Sequence, residues 1–410
     1  MVKLYAREKY LSRIRGFYHS EDIIKVITGV RRCGKSSLME TIADELRQEG
    51  IPEKNIVYLR MDERKHRKIK TADALEELIE KSIQPDEMNY LFIDEIQNVK
   101  GFEEVINGFR EDGNCSIFIT GSNSYLLSGE LVTKLTGRYI EFEMYPLTFE
   151  EYIRMKEFYQ RPVNPNTFLE LQSYILEGGF PRAVFMDSID EKRVYTRSVV
   201  SEIFEKDIRR RVKIRNKESF ESIRRYIINN FGATTSIKNL YEDLQKDGQK
   251  VSRATLGRYI QALVDSKVLC ECSRFDMKSR KSLSGEKKYY LSDLSFFYSQ
   301  NTDNRINYGP VLENIVYLYS KSKGYSVSVG RIGKLECDFI MRNDGMDYSY
   351  VQVAYTIAGN KETEDREYRP FEHIRDNYPK YVATTDYLMQ HRNGIKHVNI
   401  MEFMKNDMAF

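Results

Sequence analysis

Cysteine is scarce and odd in number, five in 410 residues, and one of the five, Cys33, lies inside a glycine-bracketed loop. That distribution excludes the paired framework of a small secreted fold and fits a reducing cytoplasm. Cys270 and Cys272 stand one residue apart with neither a second pair nor a nearby histidine, which argues against zinc and leaves them as strand residues expected on opposite faces. Long hydrophobic runs are also missing. No stretch approaches the roughly 20 apolar residues needed to cross a bilayer, and "MVKLYAREKYLSRIRGF" lacks the continuous apolar core of a signal peptide, so no membrane partner is expected. Neither sign of charge dominates: 64 Lys and Arg against 61 Asp and Glu leave a net charge of +3. The total gives no argument for a nucleic-acid partner; only local clusters can. Internal repeats and low-complexity tracts are absent as well.

The chain is longer than one hydrophobic core usually organises, and its 41% hydrophobic residues can fill several. Its first third alternates β-rich runs ("DIIKVITGV", "NIVYLRMD", "NYLFIDEI", "CSIFITGS", "RYIEFEMY") with helix-like segments, the order that a parallel sheet with covering helices requires. After "YPLTFEEY" the β-runs stop, and the chain from Tyr152 to the region of Ile214 reads as helical with a break at "EGGFPR". Helix-like stretches, then two strands joined by a basic loop, occupy the region from Glu218 to Ser299. From Asn301 onward the order is helix, several strands, helix, strand.

In "GVRRCGKSSL" the glycines let the backbone turn its N–H groups inward around phosphates, and the helix that follows adds the positive end of its dipole. Gly29, Gly34, Lys35, Ser36 and Ser37 are the expected nucleotide-binding residues. Lys35 reaches the β- and γ-phosphates and the Ser36 hydroxyl completes a magnesium shell. An ordinary glycine turn is the bland alternative, and the flanking strand "IIKVIT" and helix "SSLMETIADELRQEG" argue against it. Arg31 and Arg32, inside the loop, have phosphates, a partner subunit or solvent as possible destinations. Downstream, "YLFIDE" delivers Asp94 and Glu95 at the end of a buried strand. Asp94 would bind Mg2+ through water and Glu95 would orient or deprotonate the attacking water; capping the next helix is the alternative.

These stretches resemble the AAA-type P-loop ATPases of the bacterial and archaeal branch whose chains end in a nuclease-like domain. "GVRRCGKS" matches the Walker A motif and "LFIDE" the Walker B motif. The resemblance implies an α/β fold class: a P-loop NTPase parallel sheet over 1–145, a helical lid over 146–212, a winged helix-turn-helix over 213–300 and a restriction-endonuclease-like α/β domain over 301–410. It implies ATP and Mg2+ as cofactors. It also implies a γ-phosphate sensor at the end of the fourth strand, Ser122 with Asn123 as a near-equal candidate, although an N-cap serves "SNSYLLSGEL" equally well. Arg138, just before the fifth β-run, would contact a nucleotide, its own or a neighbouring subunit's, and Arg182 in "EGGFPR" is a weaker candidate for a second sensor.

The helices from Ser219 to Val268 have the lengths and short links of a helix-turn-helix unit, with the following strand–loop–strand as its wing. In the recognition-helix candidate "SRATLGRYIQALVDSKV", Ser252 suits the N-cap and Leu256, Ile260, Leu263 and Val264 share an apolar face, leaving Arg253, Arg258 and Gln261 outward. Arg274, Lys278, Arg280, Lys281, Lys287 and Lys288 on the wing would track a phosphate backbone, and "KDIRRRVKIRNK" adds a second basic block. DNA is the expected partner, with protein binding or mere solubility as the competing readings.

In the last segment Glu313 sits on an apolar helix, Asp338 interrupts the strand "ECDFIM", and Gln352 precedes Val353 and Ala354. This resembles the restriction-endonuclease-like fold, in which a helix Glu, a strand Asp and a Glu-x-Lys pair bind metal and activate water. Here Ala354 stands where the lysine belongs. Either cleavage is lost, the favoured reading, or Lys361 substitutes from the next helix. The whole chain thus reads as an ATPase that drives conformational change on DNA or a protein partner, with a homo-oligomer as one form of assembly. A nucleotide-dependent switch or DNA-binding regulator with slow hydrolysis and an ATP-gated nuclease are the alternatives.

Overall fold

The computed structural model describes residues 3–121, 137–209, 212–214, 216–246, 248, 251–279, 281–301 and 305–410. They form two compact units, 1–144 with 265–267, and 145–264 with 268–410.

The first unit is built on five parallel strands, β1 (Ile24–Gly29), β2 (Ile56–Arg60), β3 (Asn89–Asp94), β4 (Cys115–Gly121) and β5 (Tyr139–Met144), in the order β2-β3-β4-β1-β5. After α1 (Glu8–Ile14), helices α2 (Lys35–Gln48), α3 (Ala72–Glu80) and α4 (Phe102–Asp112) carry the chain from one strand to the next. β1, β3 and β4 are buried at every position, which is why they read as mainly apolar runs without period-2 alternation. One face sets Val26, Leu91, Ile93 and Ile117 against Leu75 of α3 and Ile106 of α4. On the other, the rings of Tyr58, Phe92 and Phe118 stack at 5.7 and 4.6 Å.

The second unit begins with α5 (Phe149–Phe158), opened by a Thr148/Glu151 capping box, then α6 (Thr167–Glu177) and α7 (Ile189–Ile203). The break at "EGGFPR" is a point of close approach. The Gly179 N–H donates to Asp293 Oδ2 at 2.7 Å, and its carbonyl accepts the Leu147 N–H at 2.7 Å. A Cβ on Gly178 would collide with Asp293 and one on Gly179 with Leu147 O, so both positions exclude a side chain.

Helix α8 (Lys217–Asn229), β6 (Thr234–Ser236), α9 (Ile237–Lys246), α10 (Arg253–Asp265), β7 (Leu269–Asp276), β8 (Lys281–Leu291) and the short α11 (Ser295–Tyr298) follow. The closing segment runs α12 (Tyr308–Ser322), β9 (Ser326–Ile332), β10 (Leu335–Arg342), β11 (Tyr348–Val353), α13 (Lys361–Tyr368), β12 (Lys380–Thr384), β13 (His391–Arg392), β14 (Ile395–Asn399) and α14 (Ile400–Lys405). β7 pairs in parallel with β9, so the β7–β8 hairpin and the closing strands make one nine-stranded sheet, β13-β14-β12-β11-β10-β9-β7-β8-β6. The boundary expected at 300/301 therefore falls inside a continuous sheet. Cys270 and Cys272 are corrected at the same point: they sit two apart in the regular part of β7, opposite Tyr290 and Lys288, and so share a face.

Candidate functional site

The glycine loop stands at the carboxyl end of β1, where ligands bind in open parallel sheets. Gly29 has φ 144°, and a Cβ there would strike Met144 O; Gly34, at φ 108°, opens α2. The first bond back into that helix runs from the Leu38 N–H to Gly34 O at 3.0 Å, which leaves the amides of Lys35, Ser36 and Ser37 in the open first turn. Lys35 is 5% exposed, and its Nζ donates to Gly29 O at 3.0 Å and Val30 O at 3.2 Å. The buried Arg7 guanidinium steadies the loop by donating to Cys33 O at 3.1 Å. Ser36 is half-buried and its carbonyl accepts from Tyr58 OH at 3.2 Å; Ser37 is exposed.

Asp94 ends β3 and is 3% exposed. Only β4 separates β3 from β1, and its Thr120 joins the two acids: the hydroxyl donates to Asp94 Oδ1 and accepts the Glu95 N–H at 3.0 Å. Glu95 turns the chain at φ 55°, the left-handed region, and the Gln97 amide two residues on donates to Glu95 Oε2. The structure thus brings Gly29, Gly34, Lys35, Ser36, Ser37, Asp94 and Glu95 to one edge of one sheet. Thr120 and Gln97 escaped the sequence reading; the polar threonine ending an otherwise apolar strand, in "IFITG", was the available signal. Ser122 and Asn123 lie outside the described residues.

Arg138 requires a correction. Its carbonyl accepts the Ile24 N–H at 2.9 Å, at the amino ends of β1 and β5, while Gly29 pairs with Met144 at the other end. Six residues of strand, about 20 Å, separate it from the level of the loop. Its guanidinium is bonded to Asn107 at 3.0 Å and Glu111 at 3.2 Å, so it does not serve its own chain's loop. Arg182 is exposed and stacks over Phe185 at 5.8 Å.

In the second unit, Glu313 on α12, Asp338 on β10 and Gln352 on β11 do converge. β10 carries one extra residue against β9 between Cys337 and Ile340, and this bulge aims Asp338. Asp338 Oδ2 accepts the Val353 N–H at 2.8 Å, the Asp338 N–H donates to Gln352 Oε1 at 3.3 Å, and Gln352 Nε2 donates to Glu367 Oε2 at 2.9 Å. Burial, then Glu313, raises the Asp338 carboxyl well above the ordinary range.

A lysine is present, but it is neither at 354 nor Lys361, which is exposed at the first position of α13. Lys288 of β8 pairs with Glu313 Oε2 at 3.0 Å and Glu336 Oε1 at 2.9 Å. Lys288 and Arg274, which binds Glu336, are thereby removed from the expected DNA-tracking set, because they point at acids inside the fold. Lys287 pairs with Glu271 at 2.6 Å. Lys278 is exposed; Arg280 and the side chain of Lys281 lie outside the described residues, as do Arg210, Arg211 and Arg215 of the upstream basic block.

On α10, the Thr255 N–H donates to Ser252 Oγ at 3.1 Å, as an N-cap should, and Leu256, Ile260 and Leu263 are buried. Arg253, Arg258 and Gln261 are exposed, with Arg253 stacked over Tyr241 at 5.0 Å.

Residues 21–153 match the AAA domain, and 169–305 match a domain of unknown function, DUF8612. With its five-stranded parallel sheet, the first unit has the AAA-type P-loop ATPase fold. A solved Walker-type ATPase of Pyrococcus abyssi superposes with a TM-score of 0.51 at 16% identity, over 73% of this chain and 96% of that one. An uncharacterized protein of Haemophilus influenzae is 33% identical over 402 residues, 97% of this chain and 98% of its own length, and the chain belongs to the same family. A further uncharacterized relative from Methanocaldococcus jannaschii is 28% identical over 85% of this chain and 78% of its own. Among the described residues, no helix is long and apolar enough to cross a membrane.

Proposed function

We propose that this protein is a magnesium-dependent ATPase that uses the nucleotide cycle to drive conformational change on DNA or a DNA-associated partner. The observation that carries the reading is the shared sheet edge: Lys35 and an open helix turn at β1, Asp94 and Glu95 at β3, and Thr120 of β4 between them. The loop fits a triphosphate because the amides of the first turn of α2 are open and Lys35 rests on carbonyl groups that leave its charge uncancelled. Backbone amides at Gly34 to Ser37 and the Lys35 ammonium would hold the β- and γ-phosphates. Ser36 and Asp94 would hold magnesium, which supplies positive charge to the phosphoryl oxygens. Glu95 would orient or deprotonate the attacking water, and Ser122, with Asn123 as a near-equal, remains our candidate sensor.

A slow switch is the second reading, favoured by the Gln97 amide that occupies one Glu95 oxygen. For the rest we retain the four domains at 1–145, 146–212, 213–300 and 301–410, the last two sharing one sheet. The order α8-β6-α9-α10-β7-β8 supports a winged helix presenting Arg253, Arg258 and Lys278 to DNA, with Arg280 and Lys281 on the same hairpin. The order α12-β9-β10-β11-α13-β12 supports an endonuclease-like domain whose Glu313, Asp338 and Gln352 no longer cleave. Arg138 is kept only as a residue that could serve a neighbouring copy. The test is ATP turnover with and without double-stranded DNA at two salt concentrations. Stimulation that fades at high salt supports action on DNA. Salt-independent basal turnover limits the reading to an ATPase or switch, and absence of nucleotide binding overturns it.

A further inference from the structure

The hairpin residue Lys288 lies on the acids of the closing segment, with a side chain only 6% exposed. Its ammonium has carboxylates on two sides, Glu313 Oε2 at 3.0 Å and Glu336 Oε1 at 2.9 Å, and Asp338 adds a third acid to the cluster. The other groups around it are also committed. Tyr290 OH donates to the same Glu313 oxygen at 3.0 Å, and Arg274 holds the second Glu336 oxygen. Asp338 Oδ2 takes the Val353 N–H, while the Gln352 carbonyl faces the Asp338 N–H and its amide faces Glu367.

Three carboxyl groups therefore meet two cations, Lys288 and Arg274. We propose that the Lys288 ammonium is the resident cation of this cluster, pairing with Glu313 and Glu336 in place of a metal ion, so that a divalent ion binds these acids only once that lysine is removed. A metal entering beside the ammonium would meet like charge at short range in a poorly screened site and would have to take Glu313 from Lys288 and Asp338 from the Val353 N–H. The inference does not depend on the nucleotide reading and is tested without nucleotide.

Full-length, nucleotide-free protein is titrated with Mn2+ in the calorimeter and melted with and without millimolar Mn2+. Any signal shared by all variants belongs elsewhere in the chain. Wild type should show no Mn2+ response that Asp338→Asn abolishes. Lys288→Met should melt several degrees lower and recover part of that loss with Mn2+, and the recovery should vanish in the Lys288→Met, Asp338→Asn double variant. Lys288→Arg, which keeps a cation in place, should stay unresponsive to Mn2+. A wild-type isotherm lost in Asp338→Asn overturns the proposal even if Lys288→Met fails to fold. Folded Lys288→Met without Mn2+ rescue overturns it as well.

Discussion

Each unit buries a lysine that is 5% exposed, and the two ammonium groups face different chemistry. Lys35 donates to the carbonyls of Gly29 and Val30, whereas Lys288 lies between Glu313 and Glu336. Carbonyl dipoles satisfy an ammonium's hydrogen bonds without cancelling its charge, so Lys35 can exchange two such bonds for phosphate oxygens. Carboxylates cancel the charge and hold the group in place, so Lys288 has nothing to offer an incoming phosphate. Lys25 shows that carbonyl partners alone do not make a site. It is fully buried, bonded to Ser20 O, Ile23 O and Ser116 Oγ, and burial lowers it to about 7. It lies near the amino end of β1, away from the open turn of α2.

The contrast breaks most readily at Lys35. Lys35→Ala should weaken ATP about 1,000-fold or more in calorimetry, since it removes charge-assisted bonds to two phosphates, while changing stability by about 1 kcal/mol or less. A large fall in stability with nucleotide binding intact would make Lys35 the structural lysine. Lys288→Met should do the opposite. Denaturant unfolding should show a loss of about 3–4 kcal/mol from uncompensated buried acids, with ATP affinity unchanged.

How far the sequence could anticipate this contrast depended on the range of the interactions. The five strands and the residues from Gly29 to Ser37 were legible because burial on both faces and loop spacing are local patterns. The bond from Thr120 to Asp94 required knowing that β4 lies beside β3. That Arg138 does not serve its own chain's loop follows from strand direction: a residue that precedes a parallel strand lies at the end opposite the loops that follow it. Lys288 was read as one more charge on a basic hairpin. Locally it is, and only the pairing of β7 with β9 and the bulge at Asp338 turn it toward acids more than 20 residues away.

Next in size is Glu95→Gln, which keeps the Thr120 bond to its backbone and removes only the base. Turnover should fall about 100-fold with ATP still bound, because general-base catalysis typically contributes that much or more. Near-normal turnover in single-turnover assays would return Glu95 to the role of a strand end and leave Asp94 alone in the site.

The smallest effect concerns a buried acid held by backbone donors. Asp293 accepts the N–H groups of Gly179 at 2.7 Å and Ser295 at 2.8 Å, so, like Lys35, it is satisfied by the backbone without having its charge cancelled. Burial accordingly raises it from 3.8 to about 6, with the Ser295 hydroxyl and those backbone bonds acting in the opposite direction. A carboxyl raised in the folded state binds more protons folded than unfolded. Its contribution is therefore complete below pH 3.8 and is lost as pH rises through about 6, by about 2–3 kcal/mol. Asp293→Asn keeps an acceptor and cannot ionise, so its stability relative to wild type should rise from about pH 4 to about pH 6 and then level off. A difference that stays constant across those melts would mean that the backbone donors hold Asp293 ionised throughout, and that amide groups alone can sustain a buried charge in this fold.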